Sequence, residues 1–375
     1  MAGPYYWVGG TGNSSDATNH WSTSSGGAPN VGNVPASTDN VIFDNASSTA
    51  DAAYTFTIDS TLTCADFTMG GPGSGNDVTW AGSAALDIYG SMNLSAGSAD
   101  LTRTYTGPIT FKSTATGKTI ASNGVSFGGT VTLNGAGGGW TLSDAFSSTD
   151  GVKVSEGTFN TGSFNMTVTF FRDATAGTTS ITLGTSTITC TLNGSTTVWQ
   201  VTAAGTTFSG ASSTIKFTGV GSSLVGFTGG GQTYGTVWFA NGGSTGTCFL
   251  TQDNTISELK DTGTAAHNLY FQSSVTQTIT TFTVSGSATK LVTINSCNAS
   301  GTAQTTTHAL AKAGGGTISS DYLNIQHSVA TPSSTWYAGA NSTDNQAVAT
   351  AGSGWTFTVP PGGVTSVSPQ FINVS

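Results

Sequence analysis

The sequence predicts an all-β fold: a single-stranded, right-handed parallel β-solenoid with a cap at each end. Three observations carry this. Only 7% of the 375 residues are charged while 52 are glycine, a composition of short uncharged strands and frequent turns rather than of amphipathic helices. Apolar-Thr-apolar triplets such as Ile109-Thr110-Phe111, Val131-Thr132-Leu133 and Ile181-Thr182-Leu183 recur with Gly or Ser turns between them, the period-two signature of strands. Finally, Thr185-Ser186-Thr187-Ile188 returns as Ser212-Ser213-Thr214-Ile215 after 212 − 185 = 27 residues, a spacing that suits one coil of two or three short strands. The competing architecture is an antiparallel β-sandwich or jelly roll, which calls for longer strands and two-residue hairpin turns.

The elements follow in order. Residues 1–53 read as an N-terminal cap, because Tyr5, Tyr6, Trp7, Trp21, Pro29 and Pro35 lie among Gly, Asn and Ser before the first convincing strand, Asn40 to Phe43. Residues 54–325 read as the solenoid, through runs such as Tyr54 to Ile58, Leu86 to Tyr89, Val125 to Phe127, Met166 to Phe170, Ile215 to Phe217, Leu269 to Phe271, Phe282 to Val284 and Leu291 to Ile294. At ~4.8 Å per rung this stretch would give roughly 11 coils and a rod of ~50 Å. No capped segment with a 3.6-residue period interrupts it. Inward positions favour Val, Ile, Leu, Phe and small Cys, outward Thr suits an exposed strand face, and Gly and Asn take the tight corners. Open solenoid ends expose unpaired strand edges and need covering. Tyr6, Trp7 and Trp21 are expected to seal one end, and Trp336, Tyr337 and Trp355, within a C-terminal cap over 326–358, the other. Beyond it, Val359-Pro360-Pro361-Gly362-Gly363 breaks any strand, so 359–375 is an extended tail, either an arm docking on a neighbouring subunit or a free terminus.

Charge excludes some functions. The net charge of −9 comes from 18 acids against 9 bases, of which only Arg103 and Arg172 are arginine, and isolated bases do not make a phosphate-binding surface. No nucleic-acid partner is expected. The start, Met1-Ala2-Gly3-Pro4-Tyr5-Tyr6-Trp7, has no basic n-region or apolar h-region, so no secretion signal is expected, and no run is apolar enough to insert in a membrane.

Few residues point to chemistry. Cys64, Cys190, Cys248 and Cys297 form no CxxC pair, which argues against structural zinc and leaves buried small hydrophobes or a disulfide between coils. Glycoside hydrolysis needs two carboxylates ~5 to 10 Å apart; Asp150 with Glu156, and Glu258 with Asp261, are the pairs a turn would bring together. His20, His267, His308 and His327 lack metal-ligand spacing. Asp39, Asp44 and Asp51 with Asn40 and Asn45 have the oxygens calcium uses but no EF-hand or GGxGxD spacing. Gly70-Gly71-Pro72-Gly73-Ser74-Gly75 and Gly229-Gly230-Gly231 lack the Lys and helix of a phosphate loop and read as turns. No catalytic residue, metal or cofactor is therefore expected. Trp80, Trp140, Trp199 and Trp238, where exposed on a coil, are candidates to stack on a glycan or receptor; where inward, they are core.

Several segments carry a resemblance: Tyr6-Trp7-Val8-Gly9-Gly10 with Asp39-Asn40-Val41-Ile42-Phe43-Asp44, then Phe111-Lys112-Ser113-Thr114-Ala115-Thr116-Gly117-Lys118-Thr119-Ile120, Gly138-Gly139-Trp140-Thr141-Leu142, and Thr335-Trp336-Tyr337-Ala338-Gly339-Ala340-Asn341-Ser342 before Gly354-Trp355. Over nearly the whole chain to Trp355 these resemble a group of β-solenoid surface and structural proteins of tailed bacteriophages, whose N-terminal segments also occur in bacterial adhesins. One departure is Ser14, where relatives tend to have Trp. The resemblance implies a non-enzymatic virion structural protein, assembled in the host cytoplasm and exposed on the particle, tail-fibre or spike-like, trimeric and contributing to host attachment. Its partners would be other virion proteins and a host surface glycan. The alternatives are a capsid decoration protein anchored by its tail, or a polysaccharide-depolymerising tailspike.

Overall fold

The structure, a computed structural model, describes residues 3–29, 32–48, 52–70, 78–173, 177–201, 204–346 and 353–361. The chain winds about 13 turns of parallel β-solenoid. Antiparallel pairing among the described residues is confined to Tyr6–Trp7 against Trp21–Ser22, Ser296–Cys297 against Ala303–Gln304, and a single bridge between Ser287 and Lys290. That rules out the sandwich. One helical turn, Gly97–Asp100, interrupts the strands, and among the described residues no helix is long and apolar enough to cross a membrane.

Each turn places three short strands on three faces. The first face runs from Leu62–Cys64 through Leu86–Ile88 and Ile109–Phe111 to Leu323–Ile325 and Thr343–Asp344. On the second, Pro4–Trp7 pairs with Asn40–Phe43 and that strand with Phe67–Met69, and the face ends at Ser328–Thr331. The third passes through Tyr54–Ile58 and Val78–Gly82, and later through Met166–Val168, Thr187–Cys190 and the C-terminal parts of Thr206–Phe217, Thr233–Phe239 and Asn254–Asp261, whose N-terminal parts lie on the second.

Like stacks on like inside. On the first face a single buried column climbs Leu62, Leu86, Ile109, Val131, Val152, Phe171, Trp199, Phe227, Leu250 and Phe271. On the third, Phe146, Met166, Ile188, Ile215, Val237, Leu259 and Phe282 do the same. Each such side chain contributes about 1.5–3 kcal/mol by leaving water. The 27-residue repeat is a true coil register, with Thr187 opposite Thr214 and Ile188 opposite Ile215. Elsewhere the coil length drifts, from 171 − 152 = 19 residues between Val152 and Phe171 to 199 − 171 = 28 between Phe171 and Trp199, because corners absorb insertions at little energetic cost. At one corner Gly157 adopts φ of +87°, and a Cβ there would sit 2.5 Å from the Gly135 carbonyl oxygen, so only glycine fits.

The caps are coils rather than separate units. Parallel pairing crosses from Asn40–Phe43 into Phe67–Met69, and from Leu323–Ile325 into Thr343–Asp344. Trp7 and Trp21 are buried edge to face at 5.0 Å, with Trp7 stacked on His20 at 4.5 Å and against Phe56 at 4.8 Å. Tyr6 is corrected: it lies opposite Ile42 on the outward side, and Tyr5, opposite Val41, is the tyrosine that packs on the core. Ser14 is part of this seal, its hydroxyl donating to Asp59 (3.0 Å) and its carbonyl accepting from Trp21 Nε1 (2.8 Å). At the far end Trp336 and Trp355 are buried 5.2 Å apart, in register on the third face, and Phe282 packs under both. Tyr337 alternates outward, so it does not seal the core. On the last strand of the second face, Gln346 accepts from Ser328 N (3.1 Å) and donates to Ser328 O (2.9 Å), and the Ser353 carbonyl accepts from Ala330 N (2.6 Å). Of the tail, 362–375 lies outside the described residues.

Candidate functional site

Strand parity decides what each tryptophan can touch. Trp80, Trp140 and Trp199 are buried, so none can stack on a glycan. Their neighbours explain it: Thr79, Thr141 and Gln200 take the outward positions, which turns each indole inward. Trp80 stacks on Tyr105 at 4.7 Å, Trp140 Nε1 donates to the Gly90 carbonyl (3.0 Å), and Trp199 lies between Phe171 (4.7 Å) and Phe227 (6.4 Å).

Trp238 alone of the four faces out. Val237 and Phe239 on either side of it are buried, and the register sets Lys216 from the coil below and Lys260 from the coil above directly against it. Their ammonium groups lie 4.1 and 4.4 Å from the ring centroid, a double cation–π stack worth about 0.5–1 kcal/mol per contact at an exposed site. Trp238 Nε1 donates to Thr262 Oγ1 (2.8 Å). Because the lysines cover the indole on both sides, a sugar ring meets its edge and two fixed positive charges, not a bare aromatic face. Outward Thr167 and Thr189 extend the column downward and Thr283 upward. Sequence reasoning found Trp238 but missed the lysines. The signal was present: Ile215-Lys216-Phe217, Val237-Trp238-Phe239 and Leu259-Lys260-Asp261 are equally spaced, 238 − 216 = 22 and 260 − 238 = 22.

The carboxylates do not assemble as the sequence pairs proposed. Glu258 is outward, accepting from Thr283 Oγ1 (3.0 Å), whereas Asp261 is buried on the other side of the same strand. Asp150 accepts from Thr130 Oγ1 (2.7 Å) and is separated from Glu156 by the extended run 152–154 rather than a turn. Asp39 accepts from Gly3 N (3.2 Å) and Ala36 N (3.0 Å), and Asp44 from Ala46 N (2.9 Å), so both shape cap loops; Asp51 lies outside the described residues. Among the described residues no three His, Cys, Asp or Glu side chains gather as a metal site requires.

Two buried histidines are held in opposite states. His267 sets Nδ1 on the Ala265 carbonyl (2.8 Å) and Nε2 on Asp261 (2.7 Å), whose other oxygen accepts from Gly263 N (2.8 Å). Burial pulls its pKa down, but the Asp261 bond and charge and the Ala265 carbonyl outweigh this and raise it. With an acceptor on each nitrogen the ring is the imidazolium of an ion pair. His308, by contrast, is pushed down to about 3 by burial and by nearby His327. The four cysteines are buried and free, and burial raises each thiol, Cys190 and Cys297 to about 12; they behave as small apolar core residues.

No family model, no curated protein and no solved structure matches this chain.

Proposed function

We propose that the chain is a non-enzymatic structural protein of a tailed bacteriophage, displayed on the particle surface as a rigid tail-fibre or spike-like rod and contributing to host attachment. The observation that carries the reading is the outward strip Lys216, Trp238, Lys260 on a rod whose other exposed strand positions are mainly threonine, serine and asparagine ladders. Such a surface offers hydroxyls and two fixed charges for reversible contact, while the buried carboxylates Asp173 and Asp261 are tied up by Thr179 and Thr206 and by His267. The resemblance of the segments around Trp7, Trp140 and Trp336 to phage solenoid proteins favours the virion setting, in which the chain would be a trimer beside other virion proteins and meet a host glycan. A uniformly stacked core suits a stiff spacer, because each coil is fixed by its two neighbours. The test is competition: the purified chain, added in excess, is expected to slow adsorption of the particles to host cells, and an unchanged adsorption rate over a saturating range overturns the proposal.

A further inference from the structure

We infer that the third face carries a binding strip for a linear anionic glycan, running from Lys216 across Trp238 and Lys260 into a groove beside Lys312. The inference rests on the attachment reading above and names the chemistry of the ligand. Two independent features meet here. The first is the fixed pair of ammonium groups on Trp238. Among the described residues neither lysine pairs with a carboxylate, the ion pairs lying instead at Asp16 with His20, Asp87 with Lys112 and Asp261 with His267. In a chain of net charge −9 these are uncompensated cations held in place rather than mobile solvated ends.

The second feature is a break in the ladder. Thr281–Thr283 pairs downward with Glu258–Lys260, but the next strand on this face, Ile318–Ser319, pairs only upward, with Trp336–Tyr337. The two rungs splay and leave an open groove of about 400 Å³ lined by Thr281, Thr283, Lys312, Gly315 and Ser319 among others. Thr283 belongs to both features, since it follows Lys260 in the column and lines the groove. Lys312 lines the groove and donates to the Ala313 (2.8 Å) and Gly315 (2.9 Å) carbonyls of the loop that follows it. Three of the seven lysines thus lie along one strip, and Glu258 is the acid beside it, its oxygens occupied by Thr236 and Thr283.

Spacing and chemistry select the occupant. The Lys216 and Lys260 ammonium groups, 4.1 and 4.4 Å from the one Trp238 centroid, are at most about 8.5 Å apart, within the length of one disaccharide, so a polymer with an acid group on each disaccharide meets both. The threonine hydroxyls between them match sugar hydroxyls as donors and acceptors. A single-stranded nucleic acid fits less well, because it binds by stacking bases on open aromatic faces and those of Trp238 are covered.

Binding of the full-length purified chain to polygalacturonate (carboxylate), dextran sulfate (sulfate) and unmodified dextran tests this, with single-stranded DNA as competitor. The expected result is binding of at least one anionic polymer and not of dextran, weakened by salt and reduced tenfold or more in Lys216→Met/Lys260→Met, with that variant still folded by circular dichroism at the assay temperature. The comparison of the two anionic polymers identifies the acid group. Binding of neither, binding unaffected by the double substitution, or full displacement by DNA at equal mass overturns the inference. A chain that slows particle adsorption yet binds no anionic glycan retires this strip and leaves attachment standing. One that binds through these lysines without slowing adsorption supports the strip and retires attachment.

Discussion

Acid should loosen this rod at one identifiable place. His308 occupies an inward position of the strand His308–Lys312, fully buried with its ring 4.9 Å from that of Phe271. Its Nδ1 is 2.9 Å from Ser296 Oγ, and that hydroxyl donates its one hydrogen to the His327 carbonyl (2.9 Å). Nδ1 is therefore the donor to Ser296, and the buried Nε2 has no hydrogen-bond partner. Protonating Nε2 places an unpaired charge in the core, which is why the pKa falls to about 3 from about 6.5 in an unfolded chain. The sign follows directly. Between these values the unfolded chain takes up a proton that the folded one refuses, so stability drops as pH falls below about 6.5 and levels off near 3. At about 1.4 kcal/mol per pH unit, acidification from 6.5 to 4.5 removes roughly 2–3 kcal/mol. In a solenoid the loss is felt by the coils that hold the residue. Amide hydrogen exchange at His308–Lys312 and its neighbour Ser328–Thr331 should report it. The His308→Leu variant loses one hydrogen bond, about 1 kcal/mol, at every pH, but should lack the 2–3 kcal/mol acid component. An equal acid slope in both proteins would refute the reasoning.

Three further outcomes are expected. The His267 imidazole, followed by NMR, should titrate above its ordinary value and fall in Asp261→Asn; since its folded pKa is raised, the pair's stabilisation is complete below about 6.5 and disappears as pH climbs through the folded value, and a midpoint below 6.5 in the native protein would contradict the ion pair. Trp199→Ala should cost about 3–5 kcal/mol in chemical denaturation, the range for a buried aromatic, whereas Trp238→Ala should cost about 1–2 kcal/mol through its two lysine contacts; equal losses would mean the strand parity is misassigned. Gln346→Leu should strip both hydrogen bonds from Ser328 and weaken the last coil by about 1–3 kcal/mol, read as faster amide exchange at Ser328; unchanged exchange there would show that the Gln346 amide does not hold this end of the strand.

Architecture was legible because parallel stacking forces a local pattern. Ile188 and Ile215 sit in the same slot of successive coils, and each Thr beside them marks an outward position. Coil count and face number were harder to read, since coil lengths such as 18 residues (Ile318 to Trp336) and 33 (Thr276 to Ala309) blur any fixed period and one strand can bend across a corner, as Val131–Leu142 does to serve two faces. Cap boundaries were invisible for a physical reason: Asn40–Phe43 and Thr343–Asp344 make the same backbone ladder as every other rung. Of the candidate site, Trp238 was named from residue type, but three buried tryptophans were named with it. Alternation from the neighbouring Thr79, Thr141 and Gln200 would have separated them. The Lys216 and Lys260 partnership needs the register between coils, which composition does not carry. Likewise, Tyr5 and Tyr6 differ by one residue, and a one-residue step in a strand exchanges core for solvent.

Immunogold electron microscopy of purified particles, with antibody raised against this chain, tests the central functional claim most directly. The account predicts gold confined to the tail, where an attachment rod must reach the host; gold spread over the head, or particles left unlabelled, would contradict it.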